Sequence, residues 1–175
     1  MKKSLADEVR QSIRSIPDFP KKGILFRDIT PLLLDGDKFR RCIDWFASLY
    51  EKKPDYVISI ESRGFIFGSA LACKIGAGFV PIRKKGKLPH ETFSISYELE
   101  YGEAVLEIHA DAIEKGKTVV IIDDVLATGG TMQAAVKLVE KFGAKTIGVY
   151  FLIELVDLDG RLKLKDYPTY SLISY

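Results

Sequence analysis

At 175 residues the chain has room for one domain, or one domain with a small appendage. It can bury roughly 70% of its unfolded surface without disulfides or a structural metal. Its hydrophobic content of 47% and charged content of 29% are ordinary for a soluble globular protein, and a formal charge of +2 is too small for bulk nucleic-acid binding. No apolar run approaches the roughly 18 residues of a membrane span. The opening Met-Lys-Lys-Ser-Leu-Ala-Asp-Glu lacks the apolar core of a secretory signal, so the cytoplasm is the expected setting. Cys42 and Cys73 stand in apolar contexts with no C-x-x-C partner, and both are read as buried reduced thiols.

In chain order, residues 5–16 place apolar side chains at 5, 6, 9, 13 and 16, a helical spacing. Residues 17–23 are a turn-rich link, and residues 26–34 are apolar and short, interrupted by Arg27-Asp28 and Pro31. Residues 37–50 read as an amphipathic helix. Residues 56–60 read as a buried strand, 64–75 as a helix closed by Gly76, and 79–82 as a strand with Pro81 near its end. Residues 83–91 are a basic loop, followed by β-rich segments at 92–97 and 104–108. A central strand at 118–122, a helix at 131–142 and a near-continuous apolar strand at 145–155 come next. The tail carries a short helix at 158–164 and a strand around 170–173. The alternation of strand and helix predicts an α/β fold with a parallel, doubly wound sheet flanked by helices.

The most informative stretch follows the central strand: Asp123-Asp124-Val125-Leu126-Ala127-Thr128-Gly129-Gly130-Thr131. It puts two carboxylates and a small-residue loop at the carboxyl edge of a buried strand, where ligands bind in open α/β sheets. Glycines let backbone N–H groups approach an anion, and the following helix adds unpaired donors and partial positive charge. A plain turn with Thr128 or Thr131 as helix cap leaves the paired acids unexplained. A sugar phosphate would use both halves. Neither G-x-x-x-x-G-K-[ST] nor G-x-G-x-x-G follows a strand, which excludes a P-loop and a dinucleotide fingerprint.

Glu61-Ser62-Arg63-Gly64-Phe65 repeats the strand-to-helix layout and reads either as a helix cap or as a second anion loop, with Arg63 matched to phosphate. Arg83-Lys84-Lys85-Gly86-Lys87 is either a solvated charge run or a cationic loop that neutralises a leaving anion. Phe26 is either core or a stacking surface for a flat heterocycle. Glu98 and Glu100 are either surface acids or part of a closing loop.

Taken with Pro17-Asp18-Phe19-Pro20, Phe26-Arg27-Asp28-Ile29-Thr30-Pro31, Arg83-Lys84-Lys85-Gly86-Lys87-Leu88-Pro89 and Leu99-Glu100-Tyr101-Gly102, these motifs resemble the type I phosphoribosyltransferases, and within them the members that use adenine. The resemblance covers roughly positions 15 to 155 and implies a single domain over residues 1–175. That domain would have a small hood near residues 1–34 over the base site and a mobile β-rich lid near 85–102. It implies a pentosyltransferase of purine salvage: adenine N9 displaces pyrophosphate from C1 of phosphoribosyl diphosphate (PRPP), giving AMP. By the same resemblance, Asp123 and Asp124 hold the ribose hydroxyls, while Ala127, Thr128, Gly129, Gly130 and Thr131 cradle the 5′-phosphate. Glu61, Ser62 and Arg63 form a pyrophosphate loop with a non-proline cis peptide, and Arg83, Lys84 and Lys87 reach pyrophosphate in the same or a neighbouring subunit. Leu25, Phe26, Arg27 and Tyr101 serve adenine, and Glu100 shares a proton with the purine. Mg²⁺ arrives on PRPP rather than on protein ligands. A homodimer is implied, with no nucleic-acid or membrane partner. The rivals are a 6-oxopurine enzyme of the same class and a PRPP-sensing regulator; residues 5–23 are too short for the winged helix the latter would need.

Overall fold

The computed structural model describes residues 3–98 and 102–175, so Leu99, Glu100 and Tyr101 lie outside the described residues. The chain divides into two compact units, Met1–Phe46 and Ala47–Tyr175.

In the first unit, helix α1 (Leu5–Ser12) is opened by a capping box, with Ser4 Oγ accepting from Asp7 N and Asp7 Oδ2 accepting from Ser4 N. The helix stops four residues short of the predicted end at Ile16. Pro17 disfavours α geometry at Ile16, and strand β1 (Arg14–Pro17) pairs antiparallel with β2 (Leu25–Asp28) instead. The short helix α2 (Thr30–Leu33) follows, its first N–H satisfied by the Asp28 carboxylate at 2.9 Å. Helix α3 (Gly36–Ala47) begins next, and Val9, Leu32, Cys42, Ile43 and Phe46 are buried in this unit. Burial pushes the Cys42 thiol up to about 12, as expected of an inert core cysteine.

The second unit is one seven-stranded sheet in the order β5-β6-β4-β3-β7-β8-β9. Its members are β3 (Tyr56–Ile60), β4 (Gly78–Lys84), β5 (Thr92–Glu98), β6 (Glu103–His109), β7 (Thr118–Leu126), β8 (Lys145–Glu154) and β9 (Thr169–Ser174). The five strands from β4 to β9 in that order run parallel, and β5 and β6 form an antiparallel hairpin at one edge. Helix α4 (Gly64–Ile75) links β3 to β4 in one direction, and α5 (Gly130–Glu140) links β7 to β8 in the other. Strand order therefore reverses between β3 and β7. In a doubly wound sheet that reversal opens a crevice at the carboxyl ends of the two strands.

Three further expectations fail in the second unit. Pro81 is interior to β4 rather than at its end. Ile82 O faces β3, where it accepts from Glu61 N, so alternation turns Pro81 to the other side; there β6 pairs only Arg83 and Lys84, and no N–H is needed. Arg83 and Lys84 thus belong to a strand rather than to the basic loop. Cys73 is exposed, because α4 packs through Gly64, Phe67, Gly68, Leu71 and Ala72, and position 73 is turned off that stripe.

Candidate active site

Strand β3 pairs with β7 only as far as Ser59 opposite Ile122, while β7 continues beside β8 to Leu126. Asp123 and Asp124 therefore lie inside a strand four residues longer at its end than predicted. The strand continues because β8 supplies hydrogen-bond partners where the apolar run has already stopped. Beyond Ile122 the β3 side of β7 is open, and a cavity of about 250 Å³ forms there, lined by Arg63, Asp123, Asp124, residues 125–132 and Phe151.

The acid pair is electrostatically tense. Asp124 N donates to Asp123 Oδ1 at 2.9 Å. Asp124 Oδ2 is 2.8 Å from Arg63 Nε, with only 5% of the side chain exposed. That contact is an ion pair rather than an aligned hydrogen bond, since Oδ2 has no hydrogen-bond partner among the described residues. Burial, then the neighbouring Asp124 charge, raises the Asp123 carboxyl well above the usual carboxylate range. Burial also raises Asp124, against the pull of Arg63. Hydrogen-bond donors on a ligand would relieve both carboxylates. Room for Asp123 is made by Gly64, where a Cβ would lie 2.7 Å from Asp123 Oδ1 and 3.2 Å from Ile122 O.

The far wall is the loop into α5. Gly129 holds the cap position at φ +77°, and no side chain among the described residues caps the helix. Neither Thr128 nor Thr131 caps it, so the helix start lacks the side-chain acceptor that a threonine-capped turn would supply. The first residues of this eleven-residue helix, whose N–H groups have no acceptor in the helix, belong to the cavity lining at 127–132. Thr131 Oγ1 lies 3.4 Å from the Tyr97 hydroxyl of β5.

The second loop begins with a cis peptide between Glu61 and Ser62, as the resemblance implied. Ser62 is exposed and Arg63 occupies the uncapped start of α4. Glu61 turns the other way. Its carboxylate, with 6% of the side chain exposed, accepts from Arg83 Nε at 3.0 Å and Lys84 N at 2.8 Å, and Lys87 Nζ lies 3.0 Å away. Burial opposes ionisation there, but Lys84 N–H, Lys87 and Arg83 outweigh it and hold the carboxyl below its usual range. Arg83 Nη1 also donates to Lys87 O, and Gly86 N to Glu107 Oε2, which fixes the basic loop.

The structure thus gathers Arg63, both acids and residues 127–131 around one cavity, and Glu61, Arg83, Lys84 and Lys87 around one carboxylate. Leu25, Phe26 and Arg27 lie on β2 of the first unit; Leu25 is exposed, and the half-buried Phe26 ring meets Phe19 edge-on at 5.2 Å. Glu100 and Tyr101 fall outside the described residues. Sequence reasoning missed Gly160. A Cβ at Gly129 would clash with Gly160 O and lie 3.1 Å from Gly160 C, so this tail glycine packs directly behind the loop. Asp159-Gly160 is a turn signal, but nothing local ties it to a loop thirty residues earlier.

The strand-order reversal and the paired acids beside an uncapped helix start suit a sugar-phosphate site, and residues 33–174 match the phosphoribosyl transferase domain, which makes the chain a phosphoribosyltransferase-class α/β protein. An adenine phosphoribosyltransferase from Carboxydothermus hydrogenoformans is 54% identical over 169 residues, covering 96% of this chain and 99% of the relative. The crystal structure of the adenine phosphoribosyltransferase from Thermoanaerobacter pseudethanolicus superposes with a TM-score of 0.94 at 53% identity, covering 97% of this chain and 99% of that one. The Saccharomyces cerevisiae enzyme, solved with an imino-altritol bisphosphate and adenine, gives a TM-score of 0.91 at 43% identity, covering 96% and 98%. The chain belongs to the adenine phosphoribosyltransferase family.

Proposed function

We propose that the protein transfers the 5-phosphoribosyl group from PRPP to adenine, releasing pyrophosphate and forming AMP, and so salvages a free purine. The observation that carries this is the cavity at the carboxyl end of β7, lined by Arg63, the acid pair and the uncapped start of α5. The structural relative solved with adenine supports the choice of base.

Asp123 and Asp124 accept from the ribose 2- and 3-hydroxyls. Those donors favour the ionised form that burial disfavours, so PRPP binding and proton release are coupled. Residues 127–131 present backbone N–H groups to the 5′-phosphate. Ser62, Arg63, Arg83, Lys84 and Lys87 meet pyrophosphate; Glu61, a carboxylate, acts by holding the cations in register rather than by touching the anion. Phe26 stacks on adenine, with Leu25 and Arg27 backbone groups at its edge. Glu100 and Tyr101 complete the base site on the strength of the family motif. A lid near residues 85–102 closes over the site and keeps water from the ribosyl cation. Mg²⁺ carried by PRPP, rather than held by protein ligands, would when bound offset charge on the leaving pyrophosphate. The remaining work is positioning and electrostatics, with no covalent nucleophile.

The proposed assembly is a homodimer over the single 1–175 domain, in keeping with the commonness of two-fold oligomers. The proposed setting is the cytoplasm, because a substrate as charged as PRPP does not cross a bilayer unaided. Among the described residues no helix is long and apolar enough to cross a membrane. The test is incubation with PRPP, Mg²⁺ and adenine. AMP and pyrophosphate should appear one for one and only with both substrates present; pyrophosphate without AMP would mean hydrolysis and would overturn the reading.

A further inference from the structure

We infer that Arg161 is a positioning residue for the phosphate loop, acting through Gly160 on the backbone of residues 127–129. The inference rests on the PRPP reading of that loop.

Arg161 follows Gly160 in the 3-10 turn Gly160–Leu164, and every arm of its guanidinium is engaged. Nε donates to Glu154 Oε1 at 2.8 Å and Nη1 to Thr169 O at 2.7 Å, while Nη2 donates to Glu154 Oε2 and reaches Ser171 Oγ at 3.3 Å. Ser171 Oγ donates to the same carboxylate at 2.8 Å. Glu154 ends β8 opposite Leu126, the residue where β7 gives way to the loop. Bidentate guanidinium–carboxylate pairs are directional as well as strong. This one ties the tail turn to the strand pair from which the phosphate loop emerges.

The turn meets the loop without spare room. A Cβ on Gly160 would clash with Ala127 O and lie 2.9 Å from Gly129 N. A Cβ on Gly129 would meet Gly160 in return. Residues 127–129 therefore have the cavity on one side and Gly160 on the other. Leu164, buried in the sheet core, anchors the far end of the turn. The hydrogen bonds of Arg161 go to Glu154, Thr169 and Ser171, none of which lines the cavity, so its effect passes through the backbone of its neighbour.

The test is Arg161→Lys, which keeps the charge and loses the fork, and independently Glu154→Gln, which keeps the shape and loses the charge. Each is compared with wild type well below its melting temperature. The KM for PRPP should rise about tenfold in Arg161→Lys and about threefold in Glu154→Gln, while the KM for adenine stays within about twofold. Amide exchange at residues 127–131 should quicken in both. A merely structural pair would lower the yield or melting temperature and leave both KM values and local exchange unchanged, and that result in whichever variant folds would overturn the inference. If wild type makes no AMP yet exchange at 127–131 still quickens, the functional reading fails and the brace stands.

Discussion

Gly129→Ala separates a phosphate cradle from a simple turn. The perturbation is one methyl group at a residue whose φ is +77°. The left-handed region costs a residue with a side chain about 1–2 kcal/mol. The new Cβ would also stand 3.1 Å from both C and Cα of Gly160 and closer still to its carbonyl oxygen, all backbone atoms that cannot rotate away. Relief requires the loop to shift by some tenths of an ångström toward the cavity. Together these effects should destabilise the fold by about 2–3 kcal/mol and lower Tm by about 5–10 °C. The displaced amides should reduce kcat/KM for PRPP by about tenfold to a hundredfold, since misplacement on this scale weighs heavily in a positioned site. Gly130→Ala is the internal control. Its Cβ would meet only Glu98 O at 3.6 Å, Lys163 Nζ at 3.8 Å and Tyr97 at 4.0 Å, ordinary contacts. It should change stability by no more than about 0.5 kcal/mol. Thermal melting and initial rates at varied PRPP measure both variants. Wild-type KM for PRPP in Gly129→Ala, or an equal loss of stability in Gly130→Ala, would refute the argument.

Asp123→Asn keeps the Asp124 N–H bond and removes a carboxyl whose folded pKa is raised by burial and by Asp124. The raised value means ionisation opposes folding: the deficit is absent below the ordinary carboxylate range and grows as pH rises through the folded pKa. The variant should therefore melt higher than wild type at pH 8 and alike at pH 4, while kcat/KM for PRPP falls about a hundredfold; a lower Tm at pH 8 contradicts this. Glu61→Gln should raise the KM for PRPP about fivefold by loosening Arg83 and Lys87. Its folded pKa is lowered, so wild type should lose that anchor as pH falls through the carboxylate range, and the two proteins should converge in acid. Phe26→Ala should raise the KM for adenine about tenfold with the KM for PRPP within about twofold, as base stacking requires; equal effects on both would point to damage of the fold. Mixed dimers of Asp123→Asn and Arg83→Ala chains should regain part of the activity if Arg83 serves the partner's site, and a fully active monomer on sedimentation would end the dimer proposal.

Much of the site was legible because its chemistry is local. The acids, glycines and helix start of residues 123–131 are contiguous, and each residue type has a physical reason to stand where it does. Strand reversal was legible only as alternation; the order of strands depends on long-range pairing. The length of β7 escaped the sequence because two carboxylates end the apolar run while β8 continues the ladder beside them. Pro17 signals that Ile16 is not helical, but the stop of α1 at Ser12 also depends on the pairing of β1 with β2, a partner eleven residues on that the apolar spacing does not show. Gly129 and Gly130 look alike in sequence, and only the tail turn at Gly160 shows which one needs to be glycine. Glu61 was grouped with the anion-binding residues by its motif; its carboxylate instead gathers cations twenty-two to twenty-six positions away, a pairing with no periodicity to announce it.

The central claim is tested most directly by kcat/KM for adenine against hypoxanthine and guanine at fixed PRPP and Mg²⁺. A site that donates and accepts hydrogen bonds to the adenine edge leaves buried groups unpaired with a 6-oxopurine, so adenine should be preferred by about ten-thousandfold. Comparable turnover of hypoxanthine or guanine would contradict the account.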